Sequence, residues 1–276
     1  MRGFFLVMKA EIVRSFIIMR RYWFATVISM IFGYMTLIGI AYGLMYNREL
    51  VRETVEKQMI MAQSMTSGIL GFLLGMFAFS IVGMFTQGLQ GMAQTGELEQ
   101  LCLSPHGLVT NFLARSFVGA VNMMINMGVL LAFVAYTLEG QLAFAPVETL
   151  AVLGLTYCNL IGFGFMVGGL ILVFKQTGQI ATLVRLGLMG LAILGTNEFI
   201  ADRSAPVQFF VHMIPITDAA ACLKYVLVDA QAAGSVFQSA NFWWLLVNAT
   251  VWTGIGIFVF KWMENLSRYK GTLGAY

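Results

Sequence analysis

The chain has 276 residues, of which 59% are hydrophobic and 11% charged, and its net charge is +3. A soluble domain carries about 25% charged residues, so this composition excludes an ordinary water-soluble globule. Uncharged apolar runs long enough to cross a bilayer as helices recur along the chain, whereas barrel strands would alternate polar and apolar residues.

In chain order, residues 1–21 mix Phe4, Phe5, Ile12, Phe16 and Ile17 with Lys9, Glu11, Arg14 and Arg20 at helical spacing. That pattern predicts a helix lying in the headgroup plane. Arg20, Arg21, Tyr22 and Trp23 then mark a membrane boundary, with cations outside and aromatics at the interface. The first span is expected over 22–46, too long for the apolar part of a cleavable signal. Arg48, Glu49, Arg52, Glu53 and Lys57 predict a short solvated helix. The second span is expected over 64–90, with Gly71 and Gly75 as a close-packing pair.

Gly96, Glu97, Leu98, Glu99, Gln100, Leu101, Cys102, Leu103, Ser104 and Pro105 follow as a polar-and-leucine knuckle between apolar runs. Glycine can cap the preceding helix and proline can stop the short one. Leu98, Leu101 and Cys102 are expected to share one face and anchor in a groove on a partner. Span three is expected over 115–138, with Asn122 and Asn126 on one face, and span four over 149–174.

Span five, 180–200, carries Arg185 inside it and Asn197 and Glu198 near its far end. An ionisable residue in a span is a functional candidate, although Arg185 can instead snorkel to the interface. Residues 206–233 are too interrupted to cross, and two short re-entrant helices broken near Pro215 fit them. Span six, 242–262, is flanked by Trp243, Trp244 and Trp262. The expected fold is therefore an all-α integral membrane protein: one transmembrane domain over 1–276, with six transmembrane helices, an N-terminal interfacial helix and a re-entrant helical hairpin before the last span.

Six spans place both termini on one side. That side takes Arg2, Lys9, Arg14, Arg20, Arg21, Arg115, Lys175, Arg185, Lys261, Arg268 and Lys270, against Arg48, Arg52, Lys57, Arg203 and Lys224 opposite. The excess of cations predicts cytoplasmic termini and a cytoplasmic knuckle in a plasma (inner) membrane. Cys102, Cys158 and Cys222, and His106 and His212, lack metal-site spacing, so no metal site is expected. The chain has no Gly-x-x-x-x-Gly-Lys-Ser/Thr loop, so any nucleotide must bind a partner.

The interfacial helix, the six spans, the Gly-x-Leu-Glu-x-Leu-x-x-Ser-Pro segment at 96–105 and the hairpin before span six resemble the type-2 membrane components of ATP-binding cassette (ABC) exporters. Ile214-Pro215-Ile216-Thr217 and Lys224 add to the likeness, although that cation is more often Arg in the family. Glu97 departs from the small hydroxylated residue expected after the glycine.

The resemblance implies a permease subunit, not itself an enzyme, that moves an amphiphilic substrate: a lipid, a lipid-linked glycan, a peptide or a drug-like compound. It implies two copies of a separate ABC ATPase docking on Gly96, Glu97, Leu98, Glu99, Leu101, Ser104 and Pro105. It implies a second copy of this chain or a related permease, with membrane lipids around them and no nucleic acid. ATP and magnesium belong to the ATPase, and this chain needs no cofactor of its own. Gln87, Arg185, Asn197 and Glu198 are the expected path residues, and Phe209, Phe210 and Pro215 the expected outer gate. The alternative is a motor-independent secondary transporter or channel, which calls for paired intramembrane charges or internal repeats, and neither is evident in the sequence. An intramembrane enzyme would need a Ser–His pair, paired carboxylates or a His-rich metal motif.

Overall fold

The computed structural model describes residues 2–46, 55–103, 107–137, 142–143, 145–174, 178–196, 205–229, 232 and 234–269. Every element among them is helical. Met65–Gln94, Gly107–Thr137, Pro146–Phe174 and Ala240–Tyr269 are long and apolar enough to cross a membrane, and two bent helix pairs raise the count to as many as six. The protein is an all-α membrane protein.

Helix α1 (Arg2–Arg21) meets α2 (Trp23–Tyr46) with a bend of 79°. A bend of this size suits α1 lying along the membrane surface while α2 crosses. Phe5, Leu6, Phe16 and Ile17 are exposed on α1, as lipid contact requires.

Helix α3 (Val55–Gln94) has 40 residues, about 60 Å at the helical rise. Part of the solvated helix expected before span two is instead continuous with that span. No Gly or Pro interrupts Val55 to Ser67, so nothing breaks it. Residues 47–54 lie outside the described set.

A short helix, α4 (Glu97–Leu103), leads into α5 (Gly107–Thr137), which takes in Arg115 instead of starting there. Helix α6 (Pro146–Phe174) has proline at its first position, where the missing N–H costs nothing. Helix α7 (Gly178–Gly195) has 18 residues, about 27 Å long. The short helices α8 (Ala205–His212) and α9 (Thr217–Leu227) precede a 3-10 turn (Ser235–Gln238) and α10 (Ala240–Tyr269).

Helix α3 is the axis of the bundle. Its Leu70, Leu74, Phe77, Ile81 and Phe85 are fully buried. Phe85 meets Phe165 of α6 at 4.6 Å and Phe112 of α5 at 5.7 Å between ring centroids, and Phe165 meets Phe260 of α10 at 5.0 Å. Four helices are thus pinned around one aromatic cluster. Helices α6 and α10 approach most closely at Gly162 and Gly256, whose backbones touch. Beside that crossing Thr253 Oγ1 donates to the Cys158 carbonyl at 2.9 Å. Gly71 and Gly75 pack on Ala192, Ile193 and Met189 of α7, so the small-residue pair serves packing within the chain.

Candidate functional site

Three regions carry the expected functional residues: the α3–α4–α5 knuckle, the α3–α7 seam and the α8–α9 hairpin. The knuckle is a one-helix corner between two left-handed glycines, Gly96 (φ 73°) and Gly107 (φ 69°). Only glycine takes that conformation without a Cβ penalty. Thr95 Oγ1 donates to the Gly91 carbonyl at 3.1 Å and closes the end of α3.

The faces of α4 differ from the expectation. Leu98 is fully buried in the main core, and Leu101 and Cys102 are half-buried against it. These residues seat α4 on its own bundle. The outward side carries Gln100, exposed, and Leu103, 87% exposed. Glu97 lines a small cleft with Glu11 and Arg14 of α1 and with Arg115 of α5, so α1 runs beside the knuckle. Ser104, Pro105 and the side chain of Glu99 lie outside the described set.

Arg185 does not snorkel. Its side chain is 3% exposed, sealed in the α3–α7 seam. Nε donates to the Phe79 carbonyl at 2.9 Å, and the guanidinium lies 3.6 Å from the centroid of the Phe79 ring. Gly83 makes the room: a Cβ there would come within 2.5 Å of Nη2. Nη1 is buried with no hydrogen-bond partner among the described residues. Gln87 is exposed on α3, while Asn197 and Glu198 lie outside the described set.

The hairpin enters and leaves the bundle on one side. Trp252 Nε1 donates to the Met213 carbonyl at 3.0 Å. Trp252 sits well inside α10, so the bend lies about 18 Å below the start of that helix. Helix α9 climbs back until the Leu227 carbonyl accepts from the Ala143 amide at 2.9 Å, beside the start of α6. Glu148 Oε1 in the first turn of α6 accepts from the Gly234 amide at 2.9 Å. Helices α8 and α9 are bent by 82° around a buried Pro215. Phe209 and Phe210 are exposed, and Phe209 meets the Trp244 ring edge-on at 6.0 Å.

No family model, curated protein or solved structure matches the chain. The assignment therefore rests on geometry and sequence pattern.

Sequence reasoning missed a polar clamp on the bend. His212 Nδ1 lies 2.6 Å from Asp218 Oδ1, and Thr217 Oγ1 donates to the Val211 carbonyl at 2.6 Å. Asn248 Nδ2 of α10 donates to the His212 carbonyl, and the His212 ring stacks on Trp244 at 5.3 Å. The signal was available: His212 and Asp218 flank Pro215 at equal spacing, and Asn248 is a lone amide in an apolar span.

Proposed function

We propose that the chain is the membrane-spanning permease subunit of an ABC exporter, driven by a separate ATPase that docks on α4. The observation that supports this reading most is the knuckle itself. A short helix held between two left-handed glycines presents Gln100 and Leu103 outward while Leu98 roots it in the core. Such an element receives a contact on one face and passes displacement to α3 and α5 through the other.

A mechanical route continues from there. Helix α3 is keyed into α7 through Gly71, Gly75 and the Gly83–Arg185 contact. The far end of α7 abuts the hairpin, where a Cβ on Gly195 would lie 3.0 Å from both the Ala220 Cβ and the Thr217 carbonyl. Packed interfaces of this kind shift between discrete arrangements and do not deform smoothly. ATP-driven closure of the partner would push α4, rock α3 and α7 together, and move the α8–α9 hairpin as an outer gate. Gln87 on the exposed face of α3 fits a path between two copies of the chain. The substrate is an amphiphile: a lipid, a lipid-linked glycan, a peptide or a drug-like compound. The membrane is the plasma membrane, with both termini in the cytoplasm.

The test is co-purification from the native host. Leu103→Asp is expected to lose a soluble ATPase that the wild type retains, with an unchanged melting temperature, because the side chain is exposed. Leu98→Ala is expected to lower stability by about 2–5 kcal/mol through its cavity, whether or not the ATPase binds. Retention of the ATPase by Leu103→Asp would remove the docking role.

A further inference from the structure

We propose that α1 seats an anionic phospholipid. Its phosphate lies between Lys9 and Arg14, and its glycerol and upper acyl carbons lie on a stripe formed by Leu6, Ala10, Val13 and Ile17. This inference stands on α1 alone and does not depend on the exporter reading.

The stripe follows from helical spacing. Leu6, Ala10, Val13 and Ile17 recur at i, i+4, i+7 and i+11 and so share one side of α1. They line an open trough together with Lys9 and Arg14, which the helical turn places on its two flanks. All of these side chains are exposed. The opposite side of α1 is already taken: Ser15 Oγ accepts from Asn122 Nδ2 of α5 at 2.7 Å. The trough therefore faces away from the bundle.

Charge selects the occupant. Arg2, Lys9, Arg14, Arg20 and Arg21 stand on α1 against the carboxylate of Glu11. Arg14 meets Glu11 at 3.4 Å, with both groups partly in solvent. An exposed pair of that length holds its partners weakly and leaves the guanidinium open to a phosphate. Lys9 and Arg14 stand about 7.5 Å apart along the axis, a gap that their side chains close around one phosphate. Their stems lie along the apolar stripe while the charged heads stay at headgroup level.

Other occupants fit less well. An inorganic anion would leave the stripe in water. The α1 of a second copy would set like charges against each other. A zwitterionic lipid adds an ammonium that the cations repel. The seat also adjoins the knuckle, because Arg14 lines the cleft that holds Glu97 and Arg115.

The experiment places a photoreactive side chain at Ala10 of the full chain, in nanodiscs of equal parts phosphatidylglycerol and phosphatidylcholine, and identifies the adducts by mass. Adducts at position 10 are expected to be enriched about fivefold or more in phosphatidylglycerol, the effect of one or two cations at the surface. The same side chain at Phe133, 58% exposed on α5, is expected to take both lipids about equally. Lys9→Gln/Arg14→Gln is expected to bring position 10 to the Phe133 ratio without a change in melting temperature, since both side chains are exposed. Arg14→Lys, which keeps the charge, is expected to keep the enrichment. Glycerol 3-phosphate, which carries the phosphate without the chains, is expected to leave the ratio unchanged.

Equal adducts of the two lipids at position 10, or enrichment that survives the double variant, would overturn the proposal. So would removal of the enrichment by glycerol 3-phosphate, or a crosslink to a second copy of the chain in place of lipid.

Discussion

Gly162→Leu is expected to abolish the native packing of α6 on α10. A Cβ at Gly162 would fall on the Trp252 carbonyl group and the Thr253 nitrogen, and a Cβ on Gly256 of the same helix would fall on the Gly162 carbonyl. The obstruction is backbone, so no rotamer change relieves it and the helices must separate. Separation would break the Thr253–Cys158 bond and pull Phe260 away from Phe165. Overpacking a tight interior costs about 1–3 kcal/mol and sometimes more, and about 3 kcal/mol or above is expected here. Thermal unfolding in detergent reads it, with Gly254→Leu as the control. Gly254 lies on the facing helix, α10, with nothing within 4 Å of its Cβ position, so that variant should melt close to wild type. Equal melting of the two variants would show that α6 and α10 do not meet at Gly162.

Arg185→Met is expected to leave stability unchanged or raise it, which is unusual for the loss of a buried side chain. The guanidinium is desolvated, has one backbone acceptor and one ring beneath it, and leaves Nη1 unpartnered among the described residues. Replacing such a buried charge with an apolar chain of similar length is often neutral or stabilising, by about 1–4 kcal/mol. A companion measurement isolates the contact. Gly83→Ala places a methyl group 2.5 Å from Nη2, so it should destabilise the wild type and much less the Arg185→Met background. The double-mutant cycle should show coupling of about 0.5–3 kcal/mol. A loss of several kcal/mol in Arg185→Met alone would mean that the guanidinium is paired after all. In the proposed cycle Arg185 lies at the seam where α3 and α7 would move together.

Four of the expected spans are helices long and apolar enough to cross, and they were legible because each is a long apolar run; the bend at Pro215 was legible because proline and charged residues interrupt the run there. Faces were harder to read. Leucines at 98 and 101 mark one side of a short helix, but sequence spacing cannot say whether that side meets the bundle or a partner. The residue that stands out, Leu103, lies on the opposite face. The extent of α3 was missed for a different reason: its charged N-terminal part reads as solvated, and a helix can leave the bilayer without breaking. Arg185 was conspicuous in the sequence, yet its fate depends on Gly83, a residue on another helix. The His212–Asp218 clamp was hidden because each residue alone is ordinary and only the bend brings the pair together.

The knuckle follows the end of α3, and the hairpin packs against the end of α7. In the proposed cycle α3 and α7 connect the docking face to the gate through the Gly71, Gly75 and Gly83 contacts and the Arg185–Phe79 hydrogen bond. If the motor were absent, the clamp and Arg185 would be the groups to examine for ion coupling in a secondary transporter.

The most direct test of the central claim is photo-crosslinking from Leu103 in native membranes. A photoreactive side chain at that position is compared with one at Phe258, which is 71% exposed on α10 and serves as a lipid-facing control. The account predicts an adduct from position 103 containing a soluble ATP-hydrolysing subunit, and no such adduct from position 258. Adducts from position 103 that contain no nucleotide-hydrolysing protein, in membranes where the chain is folded, would contradict it.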